Sequence, residues 1–182
     1  MRLTAAIILL TLTLIGCGKG GANSADPSSS PSGSKGQASP GFNLTAVDGS
    51  TVSLKPTENP QKDVHLVLFW SYRWDPNVAT LLQRYAELHE RYAPRGLRII
   101  AVAYGEEPSG LRNFLAENKT PFPVAVGVDS TFSKFELKAL PTAILIDKEG
   151  RIADRWEGHF STEEMSEKLK SHLPGRDGNS GS

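Results

Sequence analysis

Leu140-Pro141-Thr142-Ala143-Ile144-Leu145-Ile146-Asp147-Lys148-Glu149-Gly150-Arg151-Ile152 is the stretch from which the fold is read most directly. Ala143 to Ile146 is a short apolar run, and Arg151 to Trp156 resumes a strand pattern after a charged turn closed by Gly150. That spacing predicts an antiparallel hairpin across residues 147–150. Downstream, Ser161 and Glu164 form a capping box, with Phe160 and Met165 placed as a hydrophobic staple, so a last helix begins here.

Upstream the pattern alternates. Val64 to Trp70 (VHLVLFW) and Leu97 to Tyr104 (LRIIAVAY) are near-continuous apolar runs, as strands covered on both faces require. Between them Val78, Leu81, Leu82, Tyr85, Leu88 and Tyr92 recur at three and four, which predicts a helix. Asp75 is placed at its N-cap and Pro76 at its first position, and Gly96 closes it. Residues 108–118 read as a second helix and 124–128 as a strand. Phe42 to Leu44 and Thr51 to Leu54 flank Asp48-Gly49 as a small hairpin. The order β-β-β-α-β-α-β-β-β-α predicts an α/β domain: a central mixed sheet with helices on both faces and an N-terminal hairpin extension.

The ends carry a different signal. Arg2 followed by 13 residues from Leu3 to Ile15, broken only by Thr4, Thr11 and Thr13, has the length of a signal-peptide core and is too short to span a bilayer. The run ends in Leu14-Ile15-Gly16-Cys17, which resembles the lipobox of bacterial lipoproteins. That resemblance implies a signal over residues 1–16, lipid on Cys17 and a stable membrane anchor. Gly18, standing where an inner-membrane retention aspartate would be, points to the outer membrane of an organism that has one. Residues 18–40 hold seven Ser, five Gly and three Pro among 23 positions. Such a segment buries too little to offset its ordering entropy, so with Cys17 it is expected to be a disordered linker. Residues 174–182 read as a flexible tail, leaving a domain at 41–173. Without Arg2 the chain has 19 basic and 20 acidic residues, a balance that argues against nucleic acid as partner.

The stretch 140–152 is very similar to the "PT-x-x-x-ID-x-x-G-x-I" segment of thioredoxin-like thiol-disulfide oxidoreductases, the membrane-tethered envelope proteins of the redoxin group. Phe69-Trp70 resembles the start of their "FW-x-x-WC-x-x-C" segment, and residues 42–54 resemble their N-terminal hairpin. The resemblance covers about residues 41–172. It implies a thioredoxin-like fold, a cis peptide at Pro141, and a redox site on the loop after Phe69-Trp70.

That site has no sulfur here. Cys17 is the one cysteine of the 182-residue chain. Counting from Phe69-Trp70 puts the family's Cys-x-x-Cys on Trp74-Asp75-Pro76-Asn77; aligning tryptophan with tryptophan puts it on Asp75-Pro76-Asn77-Val78. Both registers stay open. The glutamate often found three residues past the second cysteine is Thr80 or Leu81, and the buried acid of thioredoxin proper is Leu68. Nucleophile, resolving thiol and proton relay are therefore missing together. Asp75 instead sets a carboxylate at the helix start, where active members use the positive end of the helix to favour thiolate.

Other chemistry is thin. His65, His89, His159 and His172 lack ligand spacing, so no metal or cofactor is expected. No phosphate-binding glycine loop and no Ser–His–Asp arrangement is present, and Glu106-Glu107 reads as a cap for the following helix. The reading is a redox-inactive, lipid-anchored envelope protein, held outside the cytoplasm by Cys17. It would bind an extended polypeptide or envelope protein through Trp74, Asp75, Pro76, Asn77, Leu140, Pro141 and Thr142, by strand addition against the cis-proline. Two alternatives remain: an accessory to a thiol-disulfide oxidoreductase system whose thiols come from a partner, and a structural envelope component.

Overall fold

The structure, a computed structural model, describes residues 35–56 and 63–175. Cys17, the signal segment, most of the proposed linker and residues 176–182 lie outside the described residues.

Strand β3 (Val64–Trp70) is the centre of the molecule. It pairs in parallel with β4 (Leu97–Ala103), which pairs in parallel with β5 (Val124–Val126). On its other side β3 meets β6 (Thr142–Ile146) antiparallel, and β6 meets β7 (Ile152–Glu157) antiparallel, giving the order β5-β4-β3-β6-β7. Both parallel crossovers run the same way across the sheet. Right-handed crossovers therefore bring α1 (Val78–Tyr92) and α2 (Pro108–Glu117) to one face. The last helix, α4 (Thr162–His172), adds Met165 and Leu169 to the same core. Leu66, Leu68 and Trp70 of β3 face these helices.

The opposite face is covered differently. Val67 and Phe69 of β3 pack beneath a two-stranded sheet, β1 (Phe42–Thr45) with β2 (Thr51–Leu54), and beneath Phe135. The hairpin turns at Gly49, whose φ of 86° no side chain adopts readily. Asp48 Oδ1 accepts from the Ser50 N–H at 2.9 Å to close that turn.

The mixed sheet and the hairpin extension match the fold read from the sequence, with four differences. A short helix, α3 (Asp129–Lys134), stands between β5 and β6. Its six residues give one large apolar side chain, too little for a periodic signal. Residues 35–40, expected to be linker, are already part of the domain. Gly36 N–H donates to the Ile152 carbonyl at 2.7 Å, and Ile152 N–H donates to Gln37 at 2.8 Å. At the other end, Pro174 was expected in the free tail, but its carbonyl accepts two bonds from Arg95, at 2.9 and 2.7 Å. In both places backbone partners outweigh a polar composition. Finally, Ser161 caps α4 by accepting from the N–H groups of Glu163 and Glu164, but its hydroxyl donates to the Glu163 carboxylate at 2.7 Å, and no bond from the Ser161 N–H to Glu164 completes the box among the described residues.

Candidate functional site

The C-terminal ends of the parallel strands β3, β4 and β5 and the start of β6 lie along one edge of the sheet, since Phe69 is opposite Thr142 and Trp70 opposite Ala103. Loops leaving such an edge form the crevice in which open α/β sheets bind ligands. Four segments meet there: residues 71–77 after β3, 104–107 after β4, α3 after β5, and 137–141 before β6.

The Leu140–Pro141 peptide is cis, as the resemblance implied. Thr142 Oγ1 donates to the Ala139 carbonyl at 2.7 Å and ties the segment down. Gly158 N–H donates to the Pro141 carbonyl at 2.8 Å. The main-chain N–H and C=O of Leu140 have no hydrogen-bond partner among the described residues, and Leu140 is half-buried. An extended chain laid beside it would find an unpaired donor and acceptor.

Facing this segment is an aromatic wall. Trp74 is 64% exposed, although tryptophan is usually well buried. Its ring lies 5.3 Å from Tyr104, and Tyr104 lies 4.2 Å from Phe132. With Leu137, Lys138, Ala139 and Leu140 these rings line a groove of about 360 Å³, room for a large side chain or two. The charge of nearby Asp129, with hydrogen bonding to it, raises the Tyr104 phenol's pKa above its usual value. Gly127 lies beneath Phe132: a Cβ there would collide with the ring and come within 2.9 Å of the Ala103 carbonyl. Glycine lets α3 sit close enough to bring Phe132 into the groove.

The loop carrying Trp74 is held from below by a buried acid. Glu106 Oε1 accepts from Ser71 Oγ at 2.7 Å and from the Arg73 N–H at 3.3 Å, and Arg73 Nε lies 3.3 Å from Oε2. Glu106 therefore does not cap α2, as its position in the sequence suggests; the N-cap is Glu107, without a side-chain bond. The carboxylate turns inward because the buried Ser71 hydroxyl and the Arg73 side chain are there to pair with it.

Asp75 is also displaced from its expected role. Helix α1 begins at Val78 with Asn77 as N-cap, and Pro76 lies in the preceding turn. Asp75 Oδ1 accepts the Asn77 N–H at 2.9 Å, an Asx turn, and its carbonyl accepts from Val78 at 3.2 Å. The side chain is buried, with Oδ2 unpartnered among the described residues and His159 Nε2 at 3.9 Å from Oδ1. The carboxylate thus takes one N–H at the helix start rather than filling the whole set.

Of the residues singled out in the sequence, Trp74 and Leu140 share the groove with each other, and Pro141 and Thr142 continue from it into β6. Pro76 and Asn77 are exposed on the turn, and Asn77 lines a separate cleft with Thr80, Leu81, Arg84 and His159. Asp75 lies beneath the surface. Tyr104, Phe132 and Lys138 complete the site without having been singled out, and Glu106, read from the sequence as a helix cap, supports it from below. Tyr104 could have been: a residue directly after a parallel strand lands at the crevice. In the first register the thiol positions are Trp74 and Asn77, both exposed; in the second they are Asp75 and Val78, both buried.

Residues 35–155 match the AhpC/TSA family. The chain is similar to the thiol-disulfide oxidoreductase ResA of Bacillus thuringiensis subsp. konkukian, with 30% identity over 140 residues, 76% of this chain and 79% of that protein. ResA of Bacillus subtilis is 25% identical over 143 residues, 78% of each. Among solved structures, the thioredoxin domain of a Bacteroides vulgatus thiol-disulfide oxidoreductase superposes with a TM-score of 0.66 at 16% identity, covering 78% of this chain and 99% of that one. A thiol:disulfide interchange protein of the thioredoxin family from Chlorobium tepidum gives 0.64 at 20%, covering 74% and 94%. The fold is thioredoxin-like.

Proposed function

The chain belongs to the AhpC/TSA family, and we propose that within it this protein binds an extended polypeptide without redox chemistry of its own. Its relatives are named as thiol-disulfide oxidoreductases, and thiol exchange requires an attacking thiolate. Residues 18–182 contain no cysteine. Asp75, Pro76, Asn77 and their neighbours offer no other group that could exchange with a disulfide.

One observation carries the reading: an aromatic groove, led by the exposed Trp74, opens beside the unpaired main chain of Leu140 at the cis-proline. Strand addition needs a free backbone edge and a pocket for an alternate side chain. Both are present, and neither depends on sulfur. A purely structural component would have no use for a tryptophan held out of the core. The lipobox around Cys17 supports anchoring in a bacterial envelope membrane, with the domain and its polypeptide or protein partner outside the cytoplasm.

An insulin-reduction assay with dithiothreitol or a thioredoxin reductase system tests the redox half of this reading. No turnover above a cysteine-free control protein is expected; turnover would overturn it. Fractionation of Cys17→Ser tests the anchor, and a variant still resisting salt extraction from membranes would place it elsewhere.

A further inference from the structure

The groove carries a charge that its own surroundings do not balance. Lys138 is the one ionised side chain among the seven described residues that line it. It is exposed, and no carboxylate lies within ion-pair distance of it among the described residues. Asp129 acts on Tyr104 and is not part of the lining. On the neighbouring loop, Arg73 is matched by buried Glu106. The remaining lining groups are three aromatic rings and three aliphatic side chains.

We infer that the ligand of this groove is an extended peptide segment bearing a large apolar side chain with an aspartate or glutamate one or two residues away, and that Lys138 selects for that carboxylate. The inference rests on the polypeptide-binding reading above and names the partner's chemistry. The rings and Leu140 accept the apolar anchor, while the free N–H and C=O of Leu140 fix the ligand's backbone alongside. Lys138 is two residues from Leu140, so their backbones are separated by at most roughly 7 Å. An extended ligand advances about 3.3 Å per residue. The carboxylate therefore falls next to the anchor or one position beyond it. A basic residue in that place would meet an uncompensated ammonium, so the groove discriminates by repulsion as well as attraction.

Calorimetric titration of the full chain in detergent, at low salt, tests this with three blocked nine-residue peptides. Each has a central phenylalanine in a Gly/Ser background, flanked by two aspartates, two asparagines or two lysines. The aspartate peptide is expected to bind about two- to fivefold tighter than the asparagine peptide, the range of a solvent-exposed ion pair, and the lysine peptide weakest. Lys138→Gln should level the series and Lys138→Glu should reverse it. If the three peptides bind wild type alike, or their order survives in Lys138→Glu, the inference about Lys138 is overturned while the groove stands. If none binds, the groove reading falls and the inference with it.

Discussion

Trp70 and Trp74 are four residues apart and belong to opposite kinds of structure. Trp70 ends β3, fully buried against the helices, with Phe114 5.8 Å away. Trp74 stands on the loop that leaves the same strand, 64% exposed, its ring 5.3 Å from Tyr104, which in turn lies 4.2 Å from Phe132. The first removes apolar surface from water on folding; the second keeps its surface available for a later contact. An exposed aromatic that folding leaves unused is the common anchor of a binding surface. Between the two, Ser71 and Arg73 are bonded to the buried Glu106, which holds the loop that carries Trp74.

Changes at the two tryptophans should separate most widely. Trp70→Ala is expected to cost about 3–5 kcal/mol, the range for emptying an aromatic site in a packed core. Trp74→Ala should change stability by less than about 0.5 kcal/mol, as for an exposed position, while weakening peptide binding at least tenfold. Thermal denaturation with titration of the same samples checks both. Comparable loss of stability in the two variants would show that Trp74 is core and that the distinction is false.

Glu106→Ala probes the connection between the regions. It leaves the buried Ser71 hydroxyl without its acceptor and Arg73 without its partner, so a cost of about 1–3 kcal/mol is expected. The sharper readout is the fluorescence of Trp74 and its accessibility to acrylamide. Both should change in Glu106→Ala and largely recover in Glu106→Gln, which keeps an acceptor for Ser71. If Trp74 is equally accessible in all three proteins, Glu106 does not position the loop.

The smallest effect belongs to β3 far from the groove. Burial pushes the His65 pKa below its usual value, with the Asp63 charge opposing and Arg98 adding to the shift. A lowered folded pKa means that the unfolded chain binds more protons as the solution acidifies. Stability should therefore be full above about pH 6.5 and fall as pH drops below it towards the folded pKa. In His65→Gln the slope between pH 7 and 5 should be shallower than in wild type. Peptide binding should follow no such difference between the two proteins; a shared loss would couple regions that the structure keeps apart.

The stability region was far more legible in the sequence than the groove. A strand buried on both faces must be a continuous apolar run, and Val64–Trp70 is one. The 142–157 hairpin announces itself by two apolar segments and a turn ending in Gly150, whose φ is 73°. The groove instead is assembled from three loops and the short helix α3: Trp74, Tyr104 and Phe132 come singly from three of these segments and Leu137 to Leu140 from the fourth, with no period to betray them. Phe132 lies on a helix of six mostly polar residues, and Glu106 looks the same in sequence whether it caps a helix or turns inward. Trp74, Leu140 and Pro141 were recognisable because the family resemblance marks their segments. Asp75 was recognisable as a turn residue, but whether it caps α1 or closes the turn before it depends on two residues of helix boundary, a margin within which helix ends vary.

The central claim is that an extended polypeptide seats between Trp74 and the main chain of Leu140 without sulfur chemistry. The most direct measurement is an NMR titration of isotope-labelled protein with the aspartate-flanked phenylalanine peptide under reducing conditions. The account predicts that the Trp74 indole N–H and the Leu140 amide shift together with a common dissociation constant, while the indole signals of Trp70 and Trp156 stay in place. Saturable binding that leaves Trp74 and Leu140 unmoved would contradict it.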